Sequence, residues 1–391
     1  MEVRPGYKVT EVGVIPETWE TRQCSDLCER IMVGIVIRPA QYYVSNGVPA
    51  FRSANVREDG ITDTDLVFIS ESSNALLSKS QTRTGDVLTV RTGYPGTSAV
   101  VRPTHAGCNC IDILITRPTK KLHSEWLAIW INSSFGKEQV LRNQGGLAQK
   151  HFNVGDMRNL VVALPPVPEQ RAIAAALGDV DMLLAGLDRL IAKKRDLKQA
   201  AMQQLLSGQT RLPGFQGEWM VKSLGELCSL KSGQAITSEN IDDHALYRCF
   251  GGNGLRGRTR TYTHEGAYAL VGRQGALCGN VVGVEGKFFA SEHALVVTAR
   301  PAVSIVWLTF VLGRMNLNQY SESSAQPGLS AAKLLLLAVP TPPSIAEQSG
   351  IAAVLSDIDV ELAALEARRD KTRALKQAMM QELLTGRTRL V

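Results

Sequence analysis

The chain has 391 residues, of which 44% are hydrophobic and 20% are charged, and its formal net charge is +6. No stretch approaches the roughly 20 consecutive apolar residues that a membrane span requires. The first residues lack the apolar core of a signal peptide, so we expect a cytoplasmic protein with no membrane contact. Seven cysteines in this length do not indicate a disulfide framework. The net charge favours a polyanionic partner.

The first part of the chain has the pattern of a mixed α/β domain. Three short strand-like runs, "DVLTVRTG", "SAVVRP" and "CIDILITRP", are separated by turn-forming residues. The apolar spacing of "SEWLAIWINSSFGKEQVLRN" (residues 124–143) predicts one helix. We place the N-terminal domain at residues 1–164.

A long helix is predicted next, over Gln170–Leu206, within a segment that we place at residues 165–212. Pro168 marks its start and Gly208 its end. Its apolar residues follow a 4-3-4-3 spacing: Ile173, Leu177, Val180, Leu184 and Leu187. A rod of roughly 39 residues at 1.5 Å each is about 58 Å long. One such rod alone would expose its apolar seam, so we expect a second helix to cover it.

The second half of the chain repeats this order. "LKQAAMQQLLSGQTRL" returns as "LKQAMMQELLTGRTRL", and Ala176–Leu212 aligns with Val354–Leu390 at 20 identities in 37 positions. Before the second copy, "YALVGRQG", "NVVGV" and "HALVVTARP" predict strands and "SIVWLTFVLGRMNLNQY" (residues 304–320) predicts one helix. We place the second domain at residues 213–342 and the distal helix at residues 343–391.

The repeat predicts the fold class. We expect an α/β (α+β) protein in which two pseudo-symmetric globular domains are separated by a pair of long antiparallel coiled-coil helices. The chain ends at "TRLV", whereas the first copy continues after "TRL" into a segment that resembles the start of the chain. The two ends of the chain should therefore lie together.

This order of domains and helices resembles the specificity (S) subunit of type I restriction-modification enzymes. The resemblance rests on the opening "GYKVTEVGVIPETWE", on the helix starts "LPPVPEQRAIAAAL" and "IAEQSGIAAVLSDID", and on the two helix ends. "CFGGNGLRGRTRTYTHEGAYALVGRQGALCGNV" is similar to a recurrent version of the family's target-recognition domain.

The resemblance implies a non-catalytic subunit that reads double-stranded DNA. Each recognition domain would read one half of a split, asymmetric site, while the helices space the halves and dock two modification (M) subunits. Restriction (R) subunits would complete the enzyme. The resemblance implies no catalytic residue, metal or cofactor on this chain, since S-adenosylmethionine, ATP and magnesium belong to the partner subunits.

Candidate DNA contacts in the second domain centre on "LRGRTRTYTH". Its three arginines alternate, so on an extended strand they would project from one face. No acidic residue occurs between residues 244 and 264, and arginine forks match guanine edges or phosphate oxygens. The predicted contacts are Arg248, Asn253, Arg256, Arg258, Arg260, Arg273 and Gln274.

The equivalent loops of the first domain are "FRSANV", "VRTGYPG" and "AQKHFN". Residues 87–111 and 139–155 contain no acid. The predicted DNA contacts are Arg52, Asn55, Arg91, Thr92, Tyr94, Lys150 and His151. Half or more of such contacts go to phosphate and carry no sequence information.

The alternative hypothesis is an enzyme or adaptor that reuses the helical scaffold. His105, Cys108 and Cys110 in "HAGCNC" could suggest zinc, but no second Cys/His pair lies at finger spacing. No phosphate-binding G-x-x-x-x-G-K-[ST] motif is present. The sequence favours the DNA-reading subunit.

Overall fold

The computed structural model describes residues 4–142, 151–275, 277–321 and 328–390. Contacts divide the chain into two compact units. The N-terminal unit is Met1–Gly186 with Arg369–Val391, and the C-terminal unit is Leu187–Arg368. The four-segment division made from the sequence, which separates globular parts from helices, stays a prediction.

Two four-stranded sheets form the frame of the N-terminal unit. The strands of this unit are β1 (Tyr7–Thr10), β2 (Gly13–Pro16), β3 (Glu20–Gln23), β4 (Cys28–Val33), β5 (Tyr43–Val44), β6 (Val48–Phe51), β7 (Val56–Arg57), β8 (Gly60–Ile61), β9 (Val67–Ile69), β10 (Val87–Val90), β11 (Ser98–Val100), β12 (Asn109–Cys110), β13 (Ile113–Pro118) and β14 (Val161–Leu164). One sheet has the order β11-β10-β13-β4 and the other β12-β6-β9-β5, while β1-β2, β14-β3 and β7-β8 form two-stranded pairs. The predicted strands between residues 86 and 118 are confirmed as β10, β11 and β13.

The helices that begin in this unit are α1 (Cys24–Leu27), α2 (Glu71–Leu76), α3 (Ser124–Asn132), α4 (Ser134–Arg142), α5 (Val154–Asn159) and α6 (Val167–Leu205). The single helix predicted for residues 124–143 is wrong, because Ser133 adopts an extended conformation (ψ 168°) between α3 and α4. The Ser133 hydroxyl donates to Trp130 O at 2.6 Å and accepts from Gly136 N at 3.4 Å. This one side chain therefore ends one helix and begins the next.

The N-terminal unit has a tryptophan-rich core. Trp19, Trp126 and Trp130 are essentially inaccessible to solvent. Trp19 meets Trp126 edge-on at 5.8 Å between ring centroids, and Trp130 stacks on Phe135 at 5.4 Å. The indole nitrogens of Trp126 and Trp130 donate to carbonyl groups of β14, which satisfies their polar atoms inside the core.

One six-stranded sheet dominates the C-terminal unit, in the order β16-β21-β19-β20-β17-β18. Its strands are β15 (Met220–Ser223), β16 (Cys228–Ser232), β17 (Tyr247–Gly251), β18 (Gly254–Thr259), β19 (His264–Gly272), β20 (Val281–Ala290), β21 (Ala294–Ala299) and β22 (Ala338–Thr341), and β15 pairs with β22 outside the main sheet. The helices are α7 (Leu224–Leu227), α8 (Ile305–Arg314), α9 (Ala331–Leu335) and α10 (Ile345–Leu384).

Helix α8 packs on β19 and β20. It ends at Arg314 rather than running to residue 320, since Asn316 takes a left-handed conformation (φ 47°) and Leu317–Tyr320 form a 3-10 turn. The single helix predicted over residues 304–320 is therefore wrong at its C-terminal end.

The two long helices α6 and α10 contain the repeated sequence, and they pair antiparallel. In the C-terminal unit Lys198 Nζ lies 2.5 Å from Asp359 Oδ1, and in the N-terminal unit Lys376 Nζ lies 2.6 Å from Asp181 Oδ1. These are the same pair in the two copies of the repeat. Of the predicted seam residues of α6, Ile173, Leu177 and Leu187 are buried, while Val180 and Leu184 are half-buried. In α10, the corresponding Ile351 and Leu355 are buried. The predicted fold class is confirmed.

The tail that follows each long helix closes on the start of the other helix. After α10, Arg389 forms an ion pair with Glu169 near the start of α6, with Nη2 to Oε2 at 2.8 Å. Glu169 is fully buried and also accepts from Trp19 Nε1 at 3.1 Å. Tyr7 donates its hydroxyl to Gly386 O at 2.9 Å, so the last turn of the chain contacts its first strand. The expected proximity of the chain ends is confirmed.

The C-terminal unit repeats this arrangement. We call each set a clasp: Arg389, Glu169 and Trp19 in the N-terminal unit, and Arg211, Glu347 and Trp219 in the C-terminal unit. Arg211, which follows α6, donates from Nε and Nη2 to the buried Glu347 near the start of α10, at 2.9 and 2.7 Å. Trp219 Nε1 donates to Glu347 Oε1 at 3.2 Å. The next residue in each helix is a glutamine that binds the N-cap residue of a neighbouring helix. Gln170 accepts from His123 N before α3, and Gln348 accepts from Ser304 N before α8. The Glu-Gln pair of each helix start thus fastens the globular part to the rod.

Candidate nucleic-acid interface

Polar side chains gather at one end of the β11-β10-β13-β4 sheet. Val90, the last residue of β10, is the register partner of Ile113, the first residue of β13. The residues after Val90 and before Ile113 therefore meet at the same sheet end. Together with the segment that starts at His151, they form what we call the N-terminal tip cluster: Arg91, Thr92, Tyr94, Asp112 and His151.

A hydrogen-bonded network joins this cluster. Arg91 Nη1 pairs with Asp112 Oδ1, and Arg91 Nε donates to Phe152 O at 3.3 Å. Thr92 Oγ1 lies 3.3 Å from Asp112 Oδ2 and 2.9 Å from His151 Nδ1. The Arg91 side chain is only 16% exposed, whereas the Asp112 side chain is 41% exposed and Tyr94 is 85% exposed. Of the four predicted residues here, Tyr94 and His151 face solvent, Thr92 is half-buried and Arg91 is largely covered.

Arg52 and Asn55 follow β6, whose last residue, Phe51, accepts a hydrogen bond from Ile111 N beside the tip cluster, and both are engaged in a local loop. The Asn55 side chain is buried, accepting from Arg52 N at 2.9 Å and donating to Thr62 O at 3.3 Å and Thr64 O at 2.7 Å. Arg52 Nη2 donates to Asp65 O at 2.5 Å. Both amide hydrogens of Asn55 are used within this loop, so its side chain stabilises the loop, and its predicted DNA contact stays a prediction. The predicted contact Lys150 lies outside the described residues.

A corresponding set lies at one end of the six-stranded sheet. Gly272, which ends β19, is the register partner of Ala294, which begins β21. The turn between β17 and β18 packs there as well, since a Cβ on Gly252 would lie 3.0 Å from His293 O and 3.1 Å from Gln274 O. We call this the C-terminal tip cluster: Asn253, Arg273, Gln274, Glu292 and His293.

The C-terminal tip cluster has its own hydrogen-bond pattern. Arg273 Nη1 donates to Ser232 Oγ at 2.8 Å. His293 Nδ1 lies 2.9 Å from Gln274 Oε1, and its Nε2 lies 3.3 Å from Glu292 Oε1. Asn253 is exposed at the turn and has no side-chain hydrogen bond among the described residues. The three predicted residues of this cluster are thus brought together.

The two clusters share a backbone framework. Phe152 N donates to Arg91 O in one, and Leu329 N donates to Arg273 O in the other. A parallel bridge joins residue 35 to residue 111 in one, and residue 234 to residue 291 in the other. Gly34 and Gly233 precede these bridges, and a Cβ on either would collide with a carbonyl oxygen of the facing strand. Arg91 and Arg273 therefore occupy equivalent positions.

Four predicted arginines lie on the edge of the C-terminal sheet. Arg248 on β17 is the register partner of Arg258 on the edge strand β18, which places two like charges side by side. Arg258 Nη1 donates to Leu246 O at 3.0 Å, and Arg248 Nη2 donates to Glu285 O at 2.9 Å. Arg256 and Arg260 are exposed and have no hydrogen bond or ion pair within the described part of the chain.

The expected single-face array of these arginines is wrong in detail. The register shifts between Cys249 and Phe250, which leaves Arg256 as the extra residue of a β-bulge. Arg260 lies one residue beyond the end of β18. The bulge breaks the alternation on which the prediction rested, although all four side chains remain on the exposed edge.

The cysteines considered for zinc are buried. Burial raises the pKa of the Cys108 thiol and, more strongly, that of the Cys110 thiol. Across residues 4–142, 151–275, 277–321 and 328–390, no group of three or more His, Cys, Asp or Glu side chains is placed to hold a metal ion. In the same residues, no helix is both long and apolar enough to cross a membrane.

A family model described as "Type I restriction modification DNA specificity domain" matches residues 16–193 and 216–372, so it covers both globular parts and most of both long helices. The chain belongs to this family. The two matches reproduce the internal repeat, one specificity domain for each globular part.

Curated relatives of this chain are specificity subunits. The chain is 47% identical over 142 residues to the type I restriction enzyme EcoprrI specificity subunit of Escherichia coli, a match that covers 35% of each chain. It is 24% identical over 208 residues to the putative type I restriction enzyme MjaX specificity subunit of Methanocaldococcus jannaschii, covering 51% of this chain and 48% of the relative. The chain thus spans about a third to a half of the length of these relatives.

Solved structures of type I systems share the fold of this chain. It resembles the S subunit of a type I restriction-modification system from M. genitalium with a TM-score of 0.68 and 16% identity, over 98% of both chains. A chain from a structure of the type I R-M system, described with its complex assembly and conformational transition, matches with a TM-score of 0.56 and 19% identity over 95% of this chain and 99% of that one.

Asp112, Glu292 and His293 lie among the predicted contacts, but sequence reasoning did not select them, because segments without acid were favoured. A signal was nonetheless present for Asp112, since it is the only acidic residue between Asp86 and Glu125. An isolated acid inside an acid-free stretch is a position to examine.

Proposed function

We propose that this chain is the DNA-specificity subunit of a type I restriction-modification complex, in which each tip cluster reads one half of a split, asymmetric DNA site. The single observation that carries the proposal is that one backbone framework appears twice with different functional groups on it. Equivalent arginines pair with Asp112 in one cluster and with Ser232 in the other. A shared scaffold with unlike polar groups is what two readers of unlike sequences require.

The four arginines at the edge of the C-terminal sheet, which we call the arginine edge (Arg248, Arg256, Arg258 and Arg260), support DNA as the ligand. Arg248 and Arg258 are held as cross-strand neighbours, and the repulsion between their charges destabilises the protein when no DNA is bound. Phosphate oxygens placed against this edge would neutralise both charges and would also supply partners for Arg256 and Arg260. We assign this edge to the DNA backbone and the tip clusters to the base edges.

The long helices are proposed to serve as spacer and dock. Helices α6 and α10 contain none of the tip-cluster residues. Their repeated sequence would provide two similar docking surfaces, as two identical modification subunits require. In this proposal the chain has no catalytic residues, and the modification subunits supply S-adenosylmethionine-dependent adenine methylation. Restriction subunits supply the ATP- and magnesium-dependent reactions.

Activity of the purified chain tests the proposal. The chain alone should neither methylate nor cleave DNA, and addition of its cognate modification subunits should give methylation at a two-part site. Mapping modified adenines in a genome that carries these genes identifies the site. Methylation or cleavage by the chain alone, or modification at sites without two separated parts, would contradict the proposal.

A further inference from the structure

One acidic side chain lies beside Arg91 and is more exposed than the arginine it pairs with. Asp112 is the only acid between Asp86 and Glu125, a stretch that contains five Lys and Arg residues. Its carboxylate is 41% exposed, while the guanidinium that it pairs with is 16% exposed. The group that the N-terminal tip cluster presents to a ligand at this point is therefore an acceptor, although the sequence pointed to the arginine.

The backbone at Asp112 is held in a conformation that most side chains avoid. Its φ is 52°, in the left-handed region where aspartate and asparagine are tolerated better than other non-glycine residues. The conformation is fixed on both sides, since Asp112 N donates to Ile35 O at 3.0 Å and the next carbonyl, Ile113 O, accepts from Gly34 N at 2.8 Å. The carboxylate is therefore aimed by the fold.

The carboxylate retains hydrogen-bonding capacity. Arg91 Nη1 occupies one site on Oδ1, and Thr92 Oγ1 contacts Oδ2. An ionised carboxylate offers about four acceptor sites, so roughly two remain for a ligand. Arg91 is itself tied to Phe152 O, and Thr92 to His151, which fixes the two donors that orient the carboxylate.

An ionised carboxylate cannot favourably approach a phosphate, so its partner on DNA must be a hydrogen-bond donor on a base. In the major groove those donors are the exocyclic amino groups, N4 of cytosine and N6 of adenine. We propose that Asp112 is a specificity-determining residue that accepts a hydrogen bond from such an amino group in one half-site. This inference rests on the proposed function, and it makes Arg91 a positioning residue for Asp112.

Replacing Asp112 with Asn tests the inference through a change of base preference. Asparagine keeps the shape and tolerates the left-handed backbone, but it presents an NH₂ donor where the carboxylate presented an acceptor. Thymine O4 and guanine O6 are acceptors at the positions of cytosine N4 and adenine N6. At one position of one half-site, preference should therefore change from cytosine to thymine or from adenine to guanine, by about tenfold.

The readout is selection from randomised duplex DNA by the full chain assembled with its modification subunits. A change from cytosine to thymine identifies N4 as the partner, and a change from adenine to guanine identifies N6. The other half-site should be unchanged. The matched control is Glu20→Gln, which removes the carboxylate of an exposed pair with Arg22 on β3 and should leave every position unchanged.

A second measurement keeps the test decisive if Asp112→Asn fails to fold. The unaltered complex is given duplexes in which each amino group of the half-site is replaced in turn by hydrogen, and one replacement should weaken binding about tenfold. A variant that keeps the complete preference of the unaltered chain, or that loses affinity equally for all sequences, overturns the inference and leaves the proposed function intact. If the unaltered complex selects no two-part site, the proposed function fails first.

Discussion

At the scale of single residues, the arginine edge separates groups that hold the protein together from groups left free for a ligand. Arg256→Ala with Arg260→Ala should weaken DNA binding with little effect on folding, because neither side chain has a partner in the described part of the chain. The dependence of affinity on salt should also become shallower, by about one in the log–log slope for each phosphate that the protein no longer neutralises. Binding measured across a salt series checks both, and an unchanged slope would remove this edge from the interface.

Arg258→Ala is the informative comparison for that pair. Its guanidinium also holds the carbonyl groups of Ala245 and Leu246. We therefore expect this variant to lose DNA affinity and, in addition, to increase protease cleavage in the segment around residue 245.

The buried carboxylate of Glu169 gives a second residue-scale prediction. Glu169→Gln removes the charge that Arg389 pairs with and weakens the acceptor of Trp19. We expect a loss of about 2 to 3 kcal/mol in the free energy of unfolding, at the low end for buried pairs because the Arg389 side chain is 35% exposed. Urea denaturation measures it. Glu138→Gln, which breaks an exposed pair one turn apart with Arg142, should change stability by less than about 0.5 kcal/mol, and equal losses in the two variants would contradict a clasp.

At the scale of secondary-structure elements, helix length is the quantity to change. If α6 and α10 space the two readers, four residues inserted near Ala200 should lengthen α6 by about 6 Å, which is one to two base pairs of DNA. Four residues are close to one turn, so the half-site sequences themselves should persist. Mapped methylation with the lengthened chain measures the gap. An active complex with an unaltered gap would show that the helices dock partners without measuring distance.

The elements also show what the sequence could predict and where it failed. The repeated 4-3-4-3 spacing predicted the long helices well, because a regular seam is a local property. The break between α3 and α4 was missed, since the hydroxyl of Ser133 is compatible with a helix and only its contacts with Trp130 and Gly136 reveal the cap. Asn55 and Asp112 make a related point, since the loop contacts of Asn55 and the exposure of Asp112 are visible only in the fold. Sequence lists the polar groups of a loop, but the fold decides which of them is already bonded.

At the scale of the whole molecule, the DNA specificities of the two globular domains should be separable. Replacing Phe215–Leu337 with the corresponding domain of a relative should change one half of the methylated site and leave the other unaltered, because the C-terminal tip cluster lies wholly within the exchanged segment. Genome-wide mapping of methylated adenines with the chimaera checks this. A simultaneous change in both halves would mean that the readers are coupled.

The reciprocal clasps have an evolutionary consequence. The tail of α10 closes on the start of α6 through Arg389 and Glu169, and the tail of α6 closes on the start of α10 through Arg211 and Glu347. Each half of the chain therefore gives one arginine away and receives one. A protein of half this length, with one globular part and one long helix, would carry both members of the clasp but could satisfy them with a second copy of itself. Fusion of two such genes would join the partners without altering a single clasp contact, and either globular part could then diverge alone. On this account an asymmetric reader descends from a symmetric dimer, and the clasps preserve its former subunit interface.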